Sequence, residues 1–224
     1  MTTASTIPDR DHYEYLCERT RGEDAFLRDL VRASAEAQIP PAWIAPEQGS
    51  FLQILLKLAK AREVVEVGTL SGYSAIWMAR ALPEGGRLRT IEINAKYADF
   101  AESWIRKSDA VSRIQLVRGD AKALLPAMEA ESVDAVFIDA DKASYPLFLK
   151  EGLRILRNGG LILVDNAFGF GLLFDEMPMR KDVAPIRSFN NMMSKTPGHH
   201  SIIIPIGDGC WVGVKEKEGG KGKS

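Results

Sequence analysis

The chain has 224 residues, of which 46% are hydrophobic and 26% charged, a length and balance that build an ordinary globular core without staples. Its 29 Lys and Arg nearly cancel 30 Asp and Glu, and a net charge of -1 gives no global field to gather nucleic acid or an anionic membrane. Cys17 and Cys210 are too few for a disulfide framework, no run approaches the roughly 18 apolar residues of a membrane helix, and the N-terminus has no signal-like stretch, so a cytoplasmic protein is expected.

In chain order, residues 9–38 read as two helical pieces broken at Gly22, and Pro40 with Pro41 stops the second. Pro46 opens another helix, in which Phe51, Leu52, Leu55, Leu58 and Ala59 recur at spacings of three and four and predict one apolar face. From residue 63 short β-rich runs alternate with helix-length segments: REVVEV, RLRTIEI, RIQLVRG, VDAVFIDA and GLILVDN. That alternation predicts parallel strands joined by right-handed crossovers, covered on both faces because the runs are nearly continuous and apolar. At the end SIIIPI and CWVGVK flank GDG, which predicts an antiparallel hairpin, with Pro205 confining its strand to an edge or a short ladder. The fold class is thus α/β, doubly wound, with a mostly parallel seven-stranded sheet, a C-terminal hairpin and N-terminal covering helices. One domain is expected over 1–224, with helices to 60, the α/β core over 61–215 and a flexible Lys/Gly tail over 216–224. The stretch 167–182 is the longest without clear structure, and loops of that length are uncommon unless functional or disordered.

Ligands of an open parallel sheet sit beyond the carboxyl ends of its strands. The first strand ends in Glu66, Val67, Gly68, Thr69, Leu70, Ser71, Gly72, Tyr73 and Ser74, where Gly68 and Gly72 let backbone approach a ligand. This is G-x-x-x-G, not the G-x-G-x-x-G of a dinucleotide site nor the Lys-containing loop of a nucleoside triphosphatase. Glu66 in a valine strand needs hydrogen bonds or a cation, and Glu92, ending the second strand, can accept two bonds from a ribose diol. The fourth and fifth strands end in Asp139, Ala140, Asp141, Lys142 and in Asp165, Asn166. If those strands are neighbours, Asp139, Asp165 and Asn166 present three oxygen ligands suited to a hard divalent cation. His12, His199 and His200 have no zinc spacing.

With these residues on the page, the sequence resembles the small, metal-dependent class I O-methyltransferases, the group containing catechol and caffeoyl-CoA O-methyltransferases. The resemblance runs from about residue 40 to 214 and is carried by EVGTLSGYSA, IEIN, the GDA after the third strand, FIDADKASY, LVDN and the GDG hairpin. It implies a Rossmann-like fold and S-adenosylmethionine as cofactor, with Glu66, Gly68, Thr69 and Ser74 at the methionyl part and Glu92 with Ile93 at the ribose. It also implies Ala121 beside the adenine, Ile44 at the cofactor carboxylate and Asp141 at a further cofactor contact. Asp139, Asp165 and Asn166 match the metal ligands, for Mg2+ first and Ca2+ or Mn2+ as alternatives, and Lys142 matches the proposed general base. A small aromatic diol as substrate and a homodimer are implied on the same basis. The sequence departs from the plant caffeoyl-CoA enzymes at Phe170, which stands where they place a substrate-contacting Asn, so a hydroxycinnamoyl-CoA ester is the alternative acceptor. Phe168, Phe170 and Phe174 offer apolar walls for a flat ring, or packing onto the sheet.

Three rival readings remain at this point. A nicotinamide-dependent oxidoreductase would use Glu92 but lacks the glycine fingerprint; a base methylase would carry a D-P-P-Y type of motif in place of D-A-D-K. A non-catalytic cofactor-binding module would need neither Lys142 nor a metal cluster.

Overall fold

The computed structural model of the protein describes residue 6 and residues 8–217. Of the tail expected to be flexible, residues 218–224 lie outside the described residues. Three helices come first, α1 (Arg10–Arg19), α2 (Ala25–Glu36) and α3 (Pro46–Leu58). Asp9 and Asp24 cap α1 and α2, accepting from His12 N and Leu27 N, and Pro46 opens α3 at the position where a missing N–H is harmless.

The alternating unit follows as β1 (Glu63–Val67), α4 (Tyr73–Ala79), β2 (Arg87–Glu92), α5 (Ala95–Ile105), β3 (Ile114–Arg118), α6 (Ala121–Leu124), β4 (Val133–Ile138), α7 (Tyr145–Ile155) and β5 (Leu156–Val164). Then come α8 (Val183–Met193), β6 (His199–Ile204) and β7 (Cys210–Lys215). The sheet order is β3-β2-β1-β4-β5-β7-β6, with β1 to β5 parallel and β7 antiparallel to both of its neighbours. The expected architecture is therefore present: seven strands, five of them crossover-linked, and a terminal hairpin whose β6 stops at Ile204, ahead of Pro205, on the sheet edge.

Each strand feeds two cores. On one face Val64, Ala135, Phe137, Leu161 and Leu163 pack with α2 to α5; on the other Val65, Val67, Val136, Ile138, Ile162 and Val164 pack with α6 to α8. Both faces being dry explains the unbroken apolar runs.

Three local readings need correction. The buried stripe of α3 is Leu52 and Leu56, and Leu58 is 75% exposed. The helix is rotated because Gly49 lies against Trp77, so closely that a methyl group there would come within 2.7 Å of the indole. β5 begins at Leu156, earlier than the GLILVDN run, through an irregular register between Val133 and Ala135. The third is an omission, because α8 was unanticipated: Pro185 lies in its first turn, where proline is tolerated.

Candidate active site

Strand order reverses between β1 and β4, and the ladders run on past the strand ends there. Asp139 N donates to Val67 O (2.9 Å), Asp165 N to Ile138 O (3.0 Å) and Gly68 N to Ile91 O (3.1 Å). The residues after β1, β2, β4 and β5 are thereby fixed side by side. They line a cavity of about 570 Å³, a size that suits a small-molecule ligand.

Gly68 holds the switch point. It has φ +102°, and a Cβ there would meet the Asp139 carbonyl oxygen at 2.0 Å. Gly68→Ala is expected to cost about 3 kcal/mol through overpacking and positive φ, a fall of roughly 6–12 °C in melting temperature for a chain of this size. A calorimetric scan checks it, and an unchanged melting temperature would contradict the close approach. Gly72, at φ +83°, caps α4 from below and faces Ala101 and Ile105, not the cavity.

Two carboxylates stand behind the turn. Glu92 accepts from Thr69 N (3.2 Å) and Leu70 N (2.9 Å) at Oε2 and from Asn94 N (2.8 Å) at Oε1, so it organises the loop it borders. Thr69 Oγ1 meets Thr90 Oγ1 at 2.5 Å. Glu66 is wholly buried; Ser74 Oγ donates to its Oε1, and its Oε2 has no partner among the described residues. Burial pushes the Glu66 carboxyl up to about 8, only partly offset by bonds from Ser74 and Thr90, with Asp139 and Glu92 adding to the rise.

In the same cavity Lys142, 7% exposed, donates to Asp139 Oδ1 (3.0 Å), Tyr145 Oη (2.5 Å) and Asn166 Oδ1 (2.6 Å). Asp165 Oδ1 accepts from Gln48 Nε2 (2.6 Å). Burial first and the Asp139 carboxylate second push the Asp165 carboxyl upward, and burial holds the Tyr145 hydroxyl well above its ordinary range. Such an acidic, desolvated group is relieved by positive charge. The acceptor oxygens of Asp139 and Asn166 already meet one cation, the Lys142 ammonium, and are donors of the kind a hard divalent ion takes; among the described residues no three His, Cys, Asp or Glu side chains gather for a metal, so such an ion would need the Asn166 amide as well as the aspartates.

Of the residues singled out from sequence, Ile44, Gly68, Thr69, Ser74, Glu92, Ile93, Ala121, Asp139, Asp141, Lys142, Asp165, Asn166 and Phe170 all line the one cavity. Glu66, expected at the cofactor, does not line it: the side chain is wholly buried and bonds to Ser74, which does. Phe168 does not line it: the ring packs on Gly209, where a Cβ would touch it at 2.8 Å. Phe174 is 91% exposed and forms no wall. The wall is Phe170, at φ +61°, with the Arg180 guanidinium 3.5 Å from its ring centroid. Sequence reasoning missed Trp43, Tyr97, Arg180 and Asp208 on the lining. Only Asp208 carried a signal, since it sits in the GDG motif.

A family model described as O-methyltransferase matches residues 17–216. The chain is 38% identical over 212 residues to a catechol O-methyltransferase of Niastella koreensis, covering 93% of each. It is similar to the solved structure of an O-methyltransferase from Bacillus cereus in complex with SAH, at TM-score 0.81 and 31% identity, covering 91% of this chain and 96% of that one. An O-methyltransferase of Streptomyces achromogenes involved in tomaymycin synthesis, solved in complex with SAM, superposes at TM-score 0.78 and 29% identity, covering 91% and 95%. No dinucleotide fingerprint stands against these matches, and the oxidoreductase reading is set aside. With a family match that takes in the glycine turn, the acidic strand ends and the closing hairpin together, the chain belongs to the O-methyltransferase family.

Proposed function

We propose that the protein transfers the methyl group of S-adenosylmethionine to one hydroxyl of a vicinal diphenol, with a divalent cation, Mg2+ first, held by Asp139, Asp165 and Asn166. The observation that carries this reading is the meeting of Lys142 with Asp139 and Asn166 in a cavity that the turn after β1, from Gly68 to Ser74, also lines.

S-adenosylmethionine supplies an electrophilic methyl on a sulfonium. Glu66 and Ser74 lie under its methionyl part in this reading, Thr69 and Ile44 flank it, Glu92 and Ile93 border the ribose, Ala121 the adenine, and Asp141 adds a contact at the mouth. The cation, when bound, supplies Lewis acidity that favours the phenolate. Lys142 must first give up its ammonium proton; as the neutral amine, its Nζ lone pair accepts the phenolic proton, and Tyr145 Oη holds that nitrogen in place. Phe170 walls the acceptor ring. Val67, Ile91 and Ile44 keep water from the methyl's path, and alignment of the two reactants can supply roughly 7–11 kcal/mol of the barrier.

Phe170 in place of an amide side chain favours a free diphenol over a hydroxycinnamoyl-CoA ester. A homodimer in the cytoplasm belongs to the same reading, supported by the family resemblance; no helix of the described residues is long and apolar enough to cross a membrane. In the deciding experiment catechol, caffeate and caffeoyl-CoA are incubated with S-adenosylmethionine and Mg2+, and products are weighed by mass spectrometry. Methylation of the free diphenols, abolished by EDTA and restored by Mg2+ or Mn2+, is expected. Transfer that survives chelation would remove the cation from the proposal.

A further inference from the structure

The turn between β6 and β7 reads Gly207, Asp208, Gly209, and its aspartate does more than turn the chain. Asp208 Oδ2 accepts from Asn166 Nδ2 (3.1 Å) and from Phe170 N (2.7 Å), and its Oδ1 accepts from Gly171 N (3.2 Å). The loop and the turn are also zipped by backbone, Ala167 N to Gly209 O and Phe168 N to Asp208 O, both at 2.8 Å. Both flanking glycines are in the left-handed region. A Cβ on Gly207 would strike Gln48 Oε1 at 2.2 Å, and one on Gly209 would strike the Phe168 ring. The turn is therefore wedged between the glutamine that holds Asp165 and the ring behind the acceptor loop, and Asp208 lines the cavity.

A carboxylate only accepts hydrogen bonds, whereas an amide has one accepting and one donating end. Asp208 therefore selects one of the two orientations of the Asn166 amide. With Nδ2 on Asp208, Oδ1 must face Lys142 and the side on which the proposed cation would bind. The flipped amide would set oxygen against carboxylate on one side and N–H against a cation on the other. The same carboxylate gathers two successive N–H groups from Gly169–Gly171, three consecutive residues at positive φ. For Phe170 that conformation is strained, and charge-assisted bonds to its own and the next N–H offset the strain.

We propose that Asp208 is a positioning residue that sets the polarity of Asn166 toward the cation and, through the backbone of Phe170, the wall against which the acceptor ring rests. The cation half of this inference rests on the function proposed above; the wall half does not. Outer partners of metal ligands typically govern about 10- to 100-fold in metal affinity.

The test uses the full chain and Mn2+ as probe, with binding read by calorimetry and by water-proton relaxation in the absence of acceptor. Asp208→Asn is expected to weaken Mn2+ by about 10- to 100-fold while the Kd of S-adenosylmethionine stays within about twofold. The double variant Asp208→Asn with Asn166→Asp exchanges amide and carboxylate, so one donor and one acceptor still face each other. It should bind Mn2+ more tightly than Asn166→Asp alone, which carries the same added ligand charge but sets two carboxylates face to face, a difference a merely structural role would not give, and it keeps the test open if the single variant folds poorly. Unchanged Mn2+ affinity in Asp208→Asn, or a double variant no tighter than Asn166→Asp alone, overturns the inference. A wild-type protein that binds no Mn2+ would instead sink the cation reading. Amide exchange would then decide: at Phe170 and Gly171 it should quicken at least about tenfold in Asp208→Asn, and an unchanged rate overturns the positioning of the wall.

Discussion

Lys142→Met is expected to lower kcat for methyl transfer by about 10²- to 10⁴-fold, the range a positioned general base contributes, with the Kd of S-adenosylmethionine held within about threefold. Methionine keeps the apolar stem that packs beside Tyr145 and removes only the ammonium that bonds to Asp139, Tyr145 and Asn166. Lys142→Arg should fail to rescue, because a guanidinium keeps its protons and its planar fork does not suit a site cut for a single nitrogen. Steady-state kinetics with catechol, paired with calorimetric cofactor titration, reads both effects. If either variant kept more than a tenth of the wild-type rate, Lys142 would not be the proton acceptor.

The second large effect concerns Glu66. Burial holds its carboxyl well above the ordinary carboxylate range, at about 8. The protonated form is therefore favoured by folding, and the stability this contributes is complete below about pH 4.5 and is lost as pH rises through 8. A cationic ligand reverses the preference by giving the carboxylate a partner. Binding of S-adenosylmethionine near pH 7 should thus release a proton, visible as a binding enthalpy that varies with the ionisation enthalpy of the buffer. Glu66→Gln should erase that variation, weaken the cofactor by roughly 100-fold, the scale of losing one member of a buried charged pair, and make the free protein more resistant to unfolding at pH 9. Cofactor affinity unchanged by the substitution, with no buffer dependence in the wild type, would show that Glu66 does not face the cofactor's charge.

The parallel core was legible because its signal is local. A strand buried on both faces must be apolar throughout, and Val64, Val65 and Val67 say so without their neighbours. The acidic strand ends were legible for the same reason, since charge at the end of a dry strand needs an explanation wherever it occurs. What could not be read depends on partners far along the chain. The rotation of α3, which exposes Leu58, is set by the approach of Gly49 to Trp77. Phe168 and Phe170 divide into a packing ring and a cavity wall because left-handed residues after Ala167 turn the chain between them. Asp208 looked like turn chemistry alone, because Asn166 and Phe170 lie about 40 positions earlier and only the pairing of β5 with β7 brings them to it.

That pairing also orders events in time. β1, β2 and β4 are complete by Ile138, but β7 threads between β5 and the edge strand β6, and it is the last strand to be synthesised. Until it docks, Asn166 has no fixed polarity and the Phe170 loop has nothing to lean on. The strands that lead to Gly68, Glu92 and Asp139 are therefore laid down well before the one on which the loop of Phe170 leans.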